Sequence, residues 1–477
     1  MKKYTLSFCL LLLSLAACRD FLNREPVDQV SNDEALRNIE GLRTALIGAY
    51  EGLSAPDYYR RFMLAYPEFA GGNLRINTRA SANITVVTFN NIYQFTNTAQ
   101  DNNIMTRAYG SIYQAINRSN NIIQALPNIT SGTAAERQSI LGEALCIRAL
   151  AHFDALRLYA QAYRFSPDAS HIGIAVLRRT PGTLEYPRRS SVREGYALVI
   201  EDLQQAIALL PIQAPRGGNA KAWWTRYAAQ ALLARVYLYM GQWQEAFEAA
   251  DEVLRQGGYQ LVGHSSFLEQ WGKPGNNNPE IIFELDLSAV PNIANGTTPQ
   301  LYGTGNEQPI GVASTDIINL YNTADIRGRD FLMPTNGSGD VLSAKFPNTL
   351  GNTVNLPLLR LAELYLIRAE AAAELGNETQ ALSDLNTLRQ RANPAAALLN
   401  QSGEALKAEI QLERRRELAF EGHLLFDLTR RGQSLFRNDC NSTITRCNIN
   451  YPSTLFVLPI PQAQLDANPA TQQNEGY

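Results

Sequence analysis

The 477-residue chain carries 42 Lys and Arg against 45 Asp and Glu, for a formal net charge of −3. No basic footprint marks it for nucleic acid, and no acidic excess names a partner. The length allows a large core, in one big domain or two to three ordinary ones.

The first residues predict a secretory signal. Met1-Lys2-Lys3 is a basic head, and Leu6 to Leu15 is an apolar run too short to span a bilayer comfortably. It ends in Leu15-Ala16-Ala17-Cys18, which fits a bacterial lipobox. The expectation is a signal peptide over 1–17 and a lipidated Cys18, against an ordinary signal with a chance cysteine. No other segment reaches the roughly twenty apolar residues a spanning helix requires. Residues 18–31 then form a lipid-anchored tether, polar and broken by Pro26, reaching roughly 40 Å if extended.

Helical spacing begins with Leu36, Ile39, Leu42, Leu46 and Ala49. Tyr58 to Asn103 reads as mostly loop, rich in Tyr, Phe, Asn, Gly and Thr, with one strand-like run at Ile84–Phe89. Tyr109, Ile112, Ile116 and Ile123 predict a helix stopping at Pro127, and another runs from about Ala134 to Tyr163. Ser191-Val192-Arg193-Glu194 is a capping box that opens a helix closing at Pro211.

Two later segments share a period. Ala228 to Leu254 reads as helix, turn at Gly241, helix; Leu359 to Ala392 repeats this with its turn at Gly376. Small residues fall where the helices cross, at tetratricopeptide offsets. Between them Gly257 to Pro357 is irregular, rich in Gly, Asn and Pro, with strand-like Ile281–Leu287. A stretch of that length without a pattern usually carries function.

Few residues point to catalysis or to metal. The four histidines, His152, His171, His264 and His423, lie outside any His-Glu-x-x-His pair and have no ligand at metal spacing. P-loop, nucleophile-elbow and dinucleotide fingerprints are missing. The reading is no catalytic residue, no metal and no cofactor; a glycoside hydrolase built from two of the many carboxylates is the rival. Glu413-Arg414-Arg415-Arg416-Glu417, continued by Glu421, Asp427, Arg430 and Arg431, is either an anion site or an ion-pair network. Near-balanced charge favours the network. Cys146 sits alone in an apolar helix. Cys440 and Cys447 flank a short polar loop in an oxidising compartment, the setting for a local disulfide; two free thiols are the alternative.

The aromatic, amide-rich loops remain. Flat rings beside polar groups suit sugar faces and hydroxyls, and also suit peptides. Residue type and loop position select Arg75, Tyr93, Asn102, Trp271 and Tyr302 as candidate ligand-binding residues.

Together the motifs resemble the SusD/RagB family of outer-membrane nutrient-binding lipoproteins of the Bacteroidetes. Cys18-Arg19-Asp20-Phe21-Leu22 resembles the family's lipidated start. Tyr113, Ile116 and Asn120 match its Tyr-x-x-Ile-x-x-x-Asn helix, with Tyr109 where Trp is common. Arg148 to Tyr159 matches the next helix, with Ala160 for the usual Gly, and Asp325-Ile326-Arg327 resembles Asp-Pro-Arg. Arg360-Leu361-Ala362-Glu363, Arg368 to Ala371, Glu413 to Asp427 and the tail from Leu458 to Tyr477 complete the set. The resemblance implies a mainly α fold: tetratricopeptide-like helix pairs packed against a loop-rich half with a few short strands. It implies regions 32–226 and 227–477 forming one globule, and a surface-exposed, lipid-anchored outer-membrane location. It further implies capture of oligosaccharides, or peptides, for a SusC-like TonB-dependent transporter, without catalysis. A pure scaffold for that transporter, without a small ligand, is a further reading.

Overall fold

The computed structural model describes residues 32–101, 103–271, 278–287, 297–305, 308–347, 354–440 and 446–477. Cys18, the signal segment, the tether and Asn102 lie outside these residues.

Helices dominate. In chain order the longer ones are α1 Ile39–Leu53, α2 Phe62–Gly71, α3 Ile84–Gln94, α4 Ile104–Ala125, α5 Ala134–Tyr159 and α6 Val192–Leu209. After them come α7 Arg226–Met240, α8 Trp243–Gln256, α9 Leu361–Glu374, α10 Glu378–Ala392, α11 Gly403–Leu418 and α12 Leu424–Arg430. Among the described residues six short strands pair antiparallel in twos: β1 Leu74–Ile76 with β3 Gly311–Ala313, β2 Ile281–Leu285 with β4 Leu356–Arg360, and β5 Leu435–Phe436 with β6 Asn448–Ile449.

The helices stack as an array of neighbours. α4 packs on α1 and α5, α5 on α6, α6 on α7, α7 on α8, α8 on α9, and α9 on both α10 and α11. This is how repeat units bury faces that none could bury alone. α5 is buried around almost its whole girth from Ser139 to Tyr159 because neighbours cover it on both sides. One hydrophobic cluster runs from Leu36 to Ile460 and so joins the two ends of the chain.

Local chemistry sets the ends of these helices. The Ser191 hydroxyl accepts from the Glu194 N–H at 3.2 Å and the Glu194 carboxylate accepts from the Ser191 N–H at 2.8 Å, closing the capping box of α6. Gly241 ends α7 at φ 72° and Gly376 turns α9 into α10 at φ 79°. A side chain is strained at either angle. At Gly376 an added Cβ meets nothing within 4 Å, so Gly376→Ala isolates the backbone cost. It should lower stability by about 1 kcal/mol in urea denaturation. An unchanged midpoint would contradict the left-handed turn.

Tyr58–Asn103 departs from the expected loop. It holds α2, β1 and α3, and the strand-like run Ile84–Phe89 is helical. The Asn83 side chain caps α3 by accepting from the N–H groups of Thr85 and Val86 at 2.9 and 3.1 Å. Thr85, Thr88, Phe89 and Ile92 face inward while Ile84 and Val87 are exposed. That is a helical period, which the β-branched composition concealed. α2 is buried on every side, so it shows no amphipathic stripe at all.

The arginine-rich run of α11 is an ion-pair network. Arg360 pairs with Glu280, Glu417 and Glu421 at 2.5, 3.3 and 2.7 Å. Arg327 pairs with Asp325, Glu413 and Glu417 at 2.8, 2.6 and 2.9 Å. Arg391 reaches Glu417 at 2.6 Å, and Lys345 reaches Glu421 at 2.5 Å. These groups are almost wholly buried, so each charge depends on its partners. Burial by itself would push the Glu417 carboxyl up. Arg391, Arg360, Arg327 and Lys345 outweigh it and hold the group well below the usual carboxylate range.

Candidate functional site

The network supports a cleft of about 310 Å³ beside Trp271. Its wall is drawn from Val262 to Pro357, entirely within the irregular stretch between the two helix-turn-helix units. β2 contributes Ile281 and Glu284, and β4 contributes Pro357, so the antiparallel β2–β4 pair fixes one side.

Trp271 is 8% exposed and packs edge-on against Phe267, ring centroids 6.3 Å apart. The Lys345 ammonium lies 5.0 Å and the Arg360 guanidinium 5.1 Å from its ring centroid, so the buried network also positions the indole. Burial, the largest influence, lowers the pKa of Lys345 even though Glu421 and Glu417 oppose it. Asn278 donates to the Gln270 carbonyl at 3.1 Å, and Asn355 donates to Glu284 at 2.7 Å. Burial raises the pKa of Glu284, against the opposing amides of Asn219 and Asn355. Trp271 Nε1 and Gln270 Nε2 are buried donors with no hydrogen-bond partner among the described residues. The cleft thus offers one aromatic ring and several amides, with two enclosed donors behind them that the fold leaves unpartnered.

The other candidates lie elsewhere. Arg75 pairs with Asp439 at 3.2 Å, and the Tyr93 hydroxyl donates to the Asp439 carbonyl at 3.3 Å. Tyr93 is 2% exposed and its ring lies 4.2 Å from the Arg437 guanidinium. Arg437 donates to the Ala70 and Tyr93 carbonyls, at the C-terminal ends of α2 and α3, where helix dipoles favour a cation. In the same hairpin Cys440 and Cys447 form a disulfide, Cα atoms 6.0 Å apart. Arg75 and Tyr93 therefore meet each other at Asp439, and neither lines the Trp271 cleft.

Tyr302 is a correction. Its ring is fully buried against Phe346 and Phe420, and its hydroxyl donates to the Phe420 carbonyl at 3.0 Å. No face is left for a ligand to stack on, because the ring serves the core. Tyr58, Tyr59, Tyr66 and Phe95, rings of the first presumed loop, are buried for the same reason. Gln270, Asn278, Glu284, Lys345 and Asn355 are the wall residues that residue-type reasoning missed. Their signal in the sequence was only membership of Gly257–Pro357.

Among the described residues no group of three or more His, Cys, Asp or Glu side chains is placed to hold a metal ion, and no helix is long and apolar enough to cross a membrane. His152 and His423 are both buried. The Leu177 N–H donates to His152 Nε2 at 3.1 Å, and Nδ1 lies 3.0 Å from the Arg148 carbonyl. Both ring nitrogens are therefore engaged within the fold.

Known proteins agree with this architecture. Residues 30–238 match the family described as "Starch-binding associating with outer membrane", and residues 336–477 match the SusD family. A SusD-like protein of Formosa agariphila is 22% identical over 98% of this chain and 98% of its own length. The starch-binding protein SusD of Bacteroides thetaiotaomicron is 33% identical over 29% of this chain and 23% of its own. The crystal structure of a SusD superfamily protein from Bacteroides thetaiotaomicron superposes with a TM-score of 0.82 at 27% identity, covering 92% of this chain and 99% of that one. With both ends of the sequence matched and the helical array shared, the chain belongs to the SusD/RagB family.

Proposed function

We propose that this protein captures oligosaccharides at the cell surface, held in the outer membrane by lipid on Cys18, and passes them to a SusC-like TonB-dependent transporter without altering them. The observation that carries the reading is the Trp271 cleft. A ring with amides around it suits a sugar, which has both an apolar face and hydroxyls. Starch binding by a relative and the outer-membrane association of the matched family support the ligand class and the location. The helical array offers the kind of extended surface that repeat proteins present to a protein partner.

Calorimetry of the purified full chain with a panel of oligosaccharides and peptides tests the proposal. Trp271→Ala should weaken glycan binding by about tenfold or more, or roughly 1.4 kcal/mol. A thermal melt of the same variant checks that it remains folded. Glycan binding that ignores this substitution would place the site elsewhere. Peptide binding without glycan binding would overturn the ligand class, and product formation would overturn the absence of turnover.

A further inference from the structure

The arginine run of α11 holds a cation that the ion-pair network leaves out. Arg414 pairs with Asp427 at 2.8 Å and Glu363 at 3.5 Å. Arg416 pairs with Glu409 and Glu413 at 2.8 and 3.2 Å. Arg415, between them, donates from Nε to the Asn73 side-chain carbonyl at 2.9 Å and makes no ion pair among the described residues. Burial lowers its pKa, and Asp316, Tyr321 and Glu68 offset this only in part. A guanidinium in that position loses hydration without a carboxylate in direct contact.

Arg415 lines a second cleft, of about 390 Å³, between α11, α12 and the segment Gln433–Phe436. Arg414 and Arg431 line it too. The carboxylates that meet these arginines are Asp427, Glu363 and Glu370, and they are shared with Arg235 and Arg430. That sets five guanidinium groups against three carboxylates. Counting Glu68, which reaches Arg415 only through Asn73, and Asp316, whose charge also acts on Arg415, brings the carboxylates level with the guanidinium groups, yet none of the carboxylates pairs directly with Arg415. His423 adds no charge at neutral pH, because burial holds it down at about 3. The rest of the wall is mixed: Asn73, Gln411, Gln433 and Ser434 are polar, and leucines with Phe436 form an apolar side. Leu424 and Leu428 lie inside it, while Leu412 is 37% and Phe436 63% exposed.

We propose that this cleft binds an organic carboxylate with an apolar body, its oxygens paired with the Arg415 guanidinium and its body against Leu412 and Phe436. The pairing supplies the direct carboxylate contact that the fold does not, through charge-assisted hydrogen bonds. The apolar side adds burial and selects against a fully hydroxylated acid. The site lacks any residue of the Trp271 cleft and stands or falls independently of it.

The test uses the purified full chain and 3-phenylpropionate as probe, with 3-phenylpropionamide and glucuronate beside it. Saturable binding is expected for the acid, at least tenfold tighter than for the neutral amide or for glucuronate. Arg415→Gln should weaken it at least tenfold, and Arg415→Lys should restore part of the loss. Leu412→Trp, a substitution at the exposed rim, should block binding with an unchanged melting temperature, and it decides the matter if Arg415→Gln fails to fold. Equal affinity for acid and amide, or no effect of Arg415→Gln in a folded protein, overturns the carboxylate–guanidinium pair. Glucuronate binding as tightly as the probe overturns the apolar body, and no binding of the probe overturns the site.

Discussion

Glu417→Ala is expected to lower the unfolding free energy by roughly 3–5 kcal/mol, the range for removing one partner of a buried charge pair. Glu417 is fully buried and accepts contacts from Arg327, Arg360 and Arg391 at 2.9, 3.3 and 2.6 Å. Deleting it leaves three guanidinium groups in a dry interior with fewer counter-charges. Arg360 also flanks Trp271, so the first cleft should loosen with the network. Urea denaturation followed by circular dichroism measures the loss, and Glu417→Gln separates charge from shape. A loss below about 1 kcal/mol would mean the arginines find other partners, contrary to the geometry.

The second large effect is a loss of stability in mild acid. His152 and His423 are fully enclosed, and burial, the largest influence on each, lowers both to about 3. In the unfolded chain each returns to about 6.5. The unfolded state therefore binds more protons across this interval, and stability falls as pH falls. The contribution is fully present above the unfolded value and is lost progressively between about 6.5 and 3. From pH 7 to 5.5 the two histidines together should remove about 2.5 kcal/mol. His171, also lowered chiefly by burial, acts in the same direction. At lower pH Glu363 joins them: Arg235, His423 and Arg414 overcome its burial and hold it at about 2, so its contribution is lost as pH falls toward that value. Denaturant midpoints at pH 7 and 5.5 test the histidine part, and His152→Gln should reduce the difference. Equal midpoints at the two pH values would refute it.

The sequence by itself determined the elements whose signals are local. The capping box at Ser191, the turn glycines Gly241 and Gly376, and the periodicity of the paired helices α7–α8 and α9–α10 each act over a few residues, so composition and spacing reveal them. The balance of charge in Glu413–Glu417 likewise pointed to a network rather than a field. What depended on distant partners was not legible. α2 carries no amphipathic stripe because neighbours surround it, and α3 looks like a strand until its buried face is known. An aromatic residue in an irregular stretch reads the same whether it is core or cleft. Tyr302 is enclosed by Phe346 and Phe420, while Trp271 lines an open wall. Arg415 differs from Arg414 and Arg416 only in which carboxylates lie within reach: those of Arg414 come from other helices, those of Arg416 from its own, and Arg415 has none in contact. Burial and ion pairing are sums over neighbours far apart in sequence, and only the tertiary structure brings those neighbours together.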